Sequence, residues 1–378
     1  MIISNARIVL TDEVIHGSLV VRDGLVIAIG SGPTASAGAF DFAGDYLLPG
    51  LIELHTDNLE KNLMPRPKVH WPTLPAVLAH DAQIATSGIT TVLDALSVGD
   101  IVDPKGLRVE LLEESVELIN HAVERGLLRA DHLLHLRCEL AVDNLLALAE
   151  PLLDHPRLRL VSMMDHTPGQ RQFRDEAKLR VYYRGKNGGM TDRELDHLFA
   201  RRLELQALHG EANHRTLVAL AHAHGTPLAS HDDTTTEHVA EAVQDGVAIA
   251  EFPTTFEAAE ALHDAGIRVL MGAPNLVLGR SHSGNVASRE LAVAGLLDIL
   301  SSDYVPSSLL MAAIAMPDVV DGIDLATAVR TVTKTPAEAV GLSDRGEIAP
   351  GKRADLIRVC VRTIPVVRSV WRQGRRVA

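Results

Sequence analysis

The chain has 378 residues, 46% of them hydrophobic and 22% charged, a composition that excludes intrinsic disorder and allows a large buried core. Acidic residues outnumber basic ones by 49 to 36, the net charge is −13 and only 3% of residues are aromatic, so a nucleic-acid, base-stacking or anionic-membrane surface is not expected. No apolar run reaches the ~18 residues of a membrane span, the first residues lack the order of a secretory signal, and two cysteines, Cys138 and Cys360, fit a reducing cytoplasm better than a disulfide framework.

The first 48 or so residues read as short strands. Ala6–Leu10, Ser18–Arg22 and Leu25–Ile29 are apolar or alternating, with turns at Thr11-Asp-Glu13 and Asp23-Gly24. The tail is similar, with strand-like Ala354–Val361, Val366–Trp371 and Arg375-Arg-Val377. Neither end suffices for a sheet of its own, so residues 1–48 and 346–378 are expected to pair into one small β domain, a β-sandwich. Residues 49–345 repeat strand then helix. The strands are Gly50–Asp57, Ile89–Leu96, His132–Leu140, Arg157–Asp165, Pro227–Asp232, Val247–Pro253, Ile267–Gly272 and Ile299–Asp303. Amphipathic stretches such as Leu74–Ser87, Arg108–Gly126, Asp143–Leu153, Glu237–Gly246 and Phe256–Gly266 separate them. Eight such units predict an α/β fold, a (β/α)8 TIM barrel. An open doubly wound sheet is the alternative, weakened by the absence of a Gly-x-Gly-x-x-Gly or Walker sequence. The connection from Asp165 to Pro227 is too long for one loop. It predicts an insertion over about 169–224: a Gly-rich basic stretch, a capping box at Thr191-Asp-Arg-Glu194, then a helix to about His224.

The chemistry gathers at strand ends. His55 and Asp57 are two apart at the end of the first barrel strand, on one face. Glu139 ends the third strand, Asp165-His166 the fourth, His231 the fifth and Asp303 the eighth. A TIM barrel brings all these ends to one mouth, where burying so many ionisable groups is costly unless each is paired or metal-bound. One or two divalent ions held by His55, Asp57, Glu139, His166 and His231 would satisfy the set and lower the pKa of a bound water. Asp303 is the candidate proton acceptor. Zinc is the first choice, with manganese or iron compatible with mixed N/O donors. A salt-bridged ring without metal is the structural alternative. His80, His121, His197, His209, His214, His222, His224, His238 and His263 lie in helical runs and read as surface or packing residues, and Cys138 and the Met163-Met164 pair as packing.

Several motifs resemble the amidohydrolase superfamily: the opening Pro49-Gly-Leu-Ile-Glu-Leu-His55, the helix Thr335-Pro-Ala-Glu-Ala-Val-Gly-Leu342 and the tail Gly346-Glu-Ile-Ala-Pro-Gly-Lys-Arg-Ala-Asp355-Leu. Within it, His55-Thr-Asp-Asn-Leu-Glu-Lys61, Met64-Pro-Arg-Pro67, Leu136-Arg-Cys-Glu139, Met164–Phe173, Ser230-His-Asp-Asp-Thr-Thr235, Gly272-Ala-Pro-Asn-Leu276 and Ser281-His-Ser-Gly-Asn-Val286 resemble one branch, which acts in phosphonate catabolism, the carbon–phosphorus lyase pathway. The resemblance implies a metal-dependent diphosphatase that splits the 5-triphosphate of a ribosyl alkylphosphonate into a 5-phosphate and pyrophosphate. Two departures are visible. His55-Thr-Asp57 stands where the superfamily usually has His-x-His, and the usual metal-bridging lysine is not evident, so Glu139 is the alternative bridge.

A small-molecule triphosphate needs local cationic donors in so acidic a chain. Arg66 and Lys68, the 171–186 stretch with Arg171, Arg174, Lys178, Arg180 and Lys186, and Arg280 with His282 follow strand ends. Ser281–Asn285, including Ser283, could offer backbone amides to phosphate oxygens, and Asn275 sits in the branch motif. Arg66, Arg171, Lys186, Asn275, Arg280, His282 and Ser283 are thus the expected substrate-binding residues, with residues 169–190 as a lid. No nucleic-acid or membrane partner is expected; a homodimer is compatible with the sequence. Rival readings are hydrolysis of a cyclic amide or imine, which leaves the basic loop unexplained, and an inactive barrel serving as an assembly subunit.

Overall fold

The computed structural model describes residues 1–66, 69–99, 107–171, 179–180, 184, 190–281 and 284–378. Lys68, Arg174, Lys178, Lys186, His282 and Ser283, named above as donors, lie outside them. So does most of the expected lid.

Strands β1 (Ile2–Val9), β2 (Val14–Arg22), β3 (Leu25–Ser31), β4 (Phe40–Asp41) and β5 (Tyr46–Pro49) open the chain. Strands β14 (Leu356–Val361), β15 (Pro365–Arg372) and β16 (Arg375–Arg376) end it. All eight belong to one sheet, ordered β16-β15-β14-β5-β1-β2-β3, with β4 against β1. Pairing is antiparallel except where β1 meets β4 and β5. The sheet folds onto itself, since Val26 N–H donates to Lys352 O and Ala354 N–H to Gly24 O. Face-to-face packing over one apolar filling, from Ile3, Ile8, Leu19 and Leu47 to Leu356 and Trp371, is thus made by a single sheet.

Between these ends run β6 (Leu51–Thr56), β7 (Ile89–Val98), β8 (Asp131–Glu139), β9 (Leu158–Met164), β10 (Leu228–His231), β11 (Ile249–Glu251), β12 (Arg268–Gly272) and β13 (Ile299–Ser301). They pair in parallel in chain order, and each coincides with a predicted strand. A parallel bridge between Thr56 and Asp303 brings the first strand to the last, so the barrel is nearly closed. Inward Ile52, Leu54, Leu93, Leu133, Leu160, Ala229, Ile249, Leu270 and Ile299 fill its lower half. Ala337 and Val340, in and after the helix Lys334–Ala339, complete that floor. Outward residues of the same strands meet the surrounding helices in a larger core.

The Thr191 capping box is formed: its hydroxyl accepts from Glu194 N–H, and the Glu194 carboxylate accepts from Thr191 N–H. The helix it starts, Asp192–Leu205, does not run unbroken to His224. A π turn at Gln206–Gly210 precedes a second helix, Glu211–His224. Gly210 is a weak helix former, and a single π turn accommodates an extra residue without ending the helix.

Candidate metal centre

Strand alternation builds the site upward from the apolar floor. On β8, Leu133 belongs to the floor; His135, Arg137 and Glu139 follow on the same face. Leu134, Leu136 and Cys138 pack outward. Likewise Ser162 stands above Leu160, His231 above Ala229, Glu251 above Ile249, and Ser301 then Asp303 above Ile299. On β6 a bulge intervenes, since Glu53 pairs with Val92 but Thr56 with Asp94. The extra residue lets His55 turn inward directly after inward Leu54.

Glu251, fully buried, is the centre. Its Oε1 lies 2.9 Å from His55 Nδ1, and its Oε2 lies 3.1 Å from His231 Nδ1. Ser162 Oγ donates to Oε2 at 2.7 Å. Burial pushes the Glu251 carboxyl up, but the His55 charge and the hydrogen bonds from His231 and His55 outweigh it and hold the group well below the ordinary carboxylate range. The His135 ring stands edge-on to His55 with centroids 5.1 Å apart, and burial pushes its imidazole down to about 3. It is neutral, and its Nδ1–H donates to Leu54 O at 2.9 Å. Its Nε2 is therefore an acceptor, in contact with Ser162 Oγ. Ser162 has one hydroxyl proton for two acceptors, His135 Nε2 and Glu251 Oε2. At Ser162 the buried acceptors outnumber the protons, which suits a cation. His55, His135 and Glu251 place ligand atoms within 4.8 Å of one another, a donor set that fits a divalent ion.

A second group adjoins it. His166, His231 and Asp232 also have ligand atoms within 4.8 Å of one another. Glu139 holds His166 by two contacts, 2.6 Å to Nδ1 and 3.1 Å from the backbone N–H. Arg202 Nη1 in turn donates to His166 O at 2.7 Å. Four of the five expected ligands, His55, Glu139, His166 and His231, thus share one mouth. The fifth, Asp57, faces Arg137, whose Nη1 donates to Asp57 Oδ1.

The backbone bends sharply beside the candidate ligands. Asp232, Phe252 and Asp303 have left-handed φ values of 56°, 55° and 52°, costing roughly 1–2 kcal/mol each. Each follows the end of a strand, so the strain directs the chain away from the mouth. Phe252 uses the bend to set its ring edge-on to His55 and His231, at 5.0 and 5.5 Å. Asp303 carries its carboxylate over Gly272, where a Cβ would stand 3.9 Å from Oδ2. Its carbonyl accepts from Thr56 Oγ1 and Asp57 N–H. Beneath it Glu53 is fully buried, accepting from Ser301 Oγ, Ser302 N–H and His55 N–H. Burial pushes its carboxyl up, against the hydrogen bonds of Ser302 and Ser301.

The expected phosphate donors fare differently. Arg66 and Arg280 are exposed. Asn275 Oδ1 accepts from Ser288 N–H, which ties two short helices together. Arg171, expected to grip polyphosphate, is engaged by the protein instead: it donates to His231 O, Asp233 Oδ1 and Glu241 Oε2. Its fork closes on two carboxylates beside the strand that carries His231. Among the histidines read as surface or packing residues, His80 is fully buried and bonded to Asp94 at 2.8 Å. Glu251, His135, Arg137 and Ser162 went unassigned from sequence. The rule that singled out Glu139 applies equally to Glu251, at the end of Val247–Pro253, and alternation from Glu139 leads to Arg137 and His135.

The chain matches the amidohydrolase family over residues 209–377. It is 51% identical over 379 aligned positions, 100% of both chains, to the alpha-D-ribose 1-methylphosphonate 5-triphosphate diphosphatase of Escherichia coli strain K12. Its fold is similar to that of 5-methylcytosine deaminase from Klebsiella pneumoniae liganded with 5-fluorocytosine, at TM-score 0.66 and 17% identity, covering 100% of this chain and 97% of that one. It also resembles N-acetyl-D-glucosamine-6-phosphate deacetylase from Mycobacterium smegmatis, at TM-score 0.63 and 17% identity over 100% of both chains. Full-length identity to a curated relative, joined to a barrel mouth of converging imidazoles and carboxylates, establishes that the chain belongs to the amidohydrolase family.

Proposed function

We propose that this chain is a metal-dependent diphosphatase that hydrolyses the 5-triphosphate of alpha-D-ribose 1-methylphosphonate 5-triphosphate, leaving the 5-phosphate and releasing pyrophosphate. The observation that carries this is the 51% identity, along the whole of both chains, to the E. coli enzyme of that name. His55, His135, Glu251 and His231, with His166 and Glu139 beside them, would hold one or two divalent ions, zinc first and manganese or iron as alternatives. Such an ion supplies Lewis acidity and a water of lowered pKa. The chain's own residues supply the rest. Asp303 would take the water's proton on its carboxylate, which stands over Gly272 at the barrel mouth. Phe252 covers the His55 and His231 rings and keeps bulk water from them. Arg66, Arg280 and Asn275, with Lys186, His282 and Ser283, are the proposed contacts to the polyphosphate and phosphonate. Residues 1–48 with 346–378 are proposed as the supporting domain, and residues 49–345 as the catalytic one, in a cytoplasmic enzyme.

The test measures pyrophosphate release by metal-loaded protein from the ribosyl phosphonate triphosphate, from ATP and from a panel of cyclic amides and aminopurines. Pyrophosphate from the first substrate, at a kcat/KM well above that for ATP, is expected. Turnover confined to the amides or purines would overturn the proposal.

A further inference from the structure

Arg137 carries a charge that the mechanism above leaves unused. It stands on the inward face of β8 between His135 and Glu139, with its side chain 14% exposed. Burial works against its charge, and the carboxylates of Asp57, Glu60, Glu251 and Asp303 more than offset that. One corner of the guanidinium is anchored, Nη1 donating to Asp57 Oδ1. Nε is buried and has no hydrogen-bond partner. Nε–H and Nη2 form the remaining edge of the planar fork, and that edge presents two parallel donors spaced to match two oxygens of one phosphoryl group. A buried donor without an acceptor is costly, and that cost points to an acceptor that arrives with the substrate.

We propose that Arg137 is a substrate-binding residue which, held through Nη1 by Asp57, offers its Nε–Nη2 edge to non-bridging phosphoryl oxygens of the polyphosphate. The proposal rests on the diphosphatase reading above. Asp57 accordingly acts here as the anchor of Arg137. The arrangement places a fixed positive charge within the barrel mouth, where an acidic protein has few, and on a strand rather than a loop. A charge held this rigidly loses no side-chain freedom on binding.

The test compares Arg137→Met and Arg137→Lys with the parent in kcat/KM for the ribosyl phosphonate triphosphate. Bound metal is measured by elemental analysis and folding by thermal midpoint. Arg137→Met should lower kcat/KM by about ten- to a hundredfold, the worth of one charge-assisted contact, with metal content unchanged. Arg137→Lys, which keeps the charge opposite Asp57 and so protects folding, should lose roughly three- to tenfold, because only the fork geometry is gone. Both variants within twofold of the parent, or an activity loss that follows loss of metal, would overturn the proposal. A parent that releases no pyrophosphate would instead remove the diphosphatase reading itself, and this proposal with it.

Discussion

Glu251 accepts from His55, His231 and Ser162 at once, so an amide in its place turns one acceptor into a donor facing imidazole N–H groups. Glu251→Gln, which also removes a carboxylate proposed to hold the ion, should reduce metal retention after dialysis by at least about tenfold, the lower bound even for groups that only orient ligands. Elemental analysis reads this directly, and a variant that keeps its full metal complement would show that the cation is held elsewhere. Asp303→Asn is expected to behave differently. It should cut kcat by ~10²–10⁴ while substrate still binds, and near-normal turnover at every pH would remove Asp303 from proton transfer. At this scale the sequence was informative about position wherever a candidate ligand sat at a strand end, as with His55, Glu139, His166 and His231, which the fold brings to one mouth. His135 lies four residues before the end of its strand, among Leu133, Leu134 and Leu136, and Ser162 is too common a residue type to stand out. Arg137 was hidden by its neighbours, because a charge inside an apolar strand gains meaning only when Asp57 is seen to face it.

Outside the barrel lumen four side chains, His80, Asp81, Asp94 and His132, lock β7 and β8 to the helix Thr73–Thr86. His80 Nε2 and His132 Nδ1 each lie 2.8 Å from one oxygen of Asp94, and Asp81 approaches His132 from the helix at 3.4 Å. Burial works against the charged form of His132, but Asp94 and Asp81 push its imidazole up to about 9. Burial likewise pushes Asp94 up, but His132 and His80 hold it well below the usual carboxylate range. His132 is raised above its unfolded value near 6.5, so its contribution is complete below about pH 6.5 and fades as pH rises through about 9. Asp94 is depressed, so its contribution is complete above about pH 4 and fades on acidification. The gap in thermal midpoint between the parent and His132→Gln should therefore be widest between about pH 4 and 6.5 and should shrink by about pH 10. A gap independent of pH would mean that the pair is uncharged.

Arg171 offers a second test at this scale. Because it closes on Asp233, Glu241 and the His231 carbonyl, Arg171→Met should lower the thermal midpoint and loosen metal binding. Substrate affinity lost in proportion to added salt, with stability intact, would return Arg171 to the phosphate-gripping role read from sequence. The strand-and-helix rhythm was legible because each strand is a short apolar run bounded by Gly, Pro or Asp, with a 3.6-residue pattern between. The π turn at Gln206–Gly210 was not, since a single extra residue barely disturbs that period. Nor was the self-folded sheet, because no local pattern records which strand edges meet.

At the scale of the whole molecule, the question is whether the terminal sheet and the barrel unfold together. Trp371 is 8% exposed in the sheet's filling and stacks on Phe42, with ring centroids 5.9 Å apart, so one contact joins the two chain ends. The next residue, Arg372, donates to Ala130 O just before β8. Arg345 and Arg353 both pair with Asp131, the first residue of β8, at 2.6 and 3.1 Å. On the other side a Cβ at Gly88, just before β7, would stand 3.2 Å from Ile357 Cδ1, so the sheet is packed against the barrel's lower rim. These ties fall at the start of β8, which carries His132, His135 and Arg137, and of β7, which carries Asp94. Trp371→Ala should cost ~3–5 kcal/mol. If the molecule unfolds as one unit, with an unfolding entropy of roughly 0.8 kcal/mol/K for this length, the midpoint should fall by only about 4–6 °C in a single transition. If the terminal sheet melts alone, as a unit of about 80 residues, the same loss should split off an early transition lowered by about 12 °C or more. Calorimetry of the metal-loaded variant distinguishes the two. The ion pairs on Asp131 and the close approach at Gly88 favour the single transition, and a separate early peak would mean that the barrel holds its metal centre without support from the chain's ends.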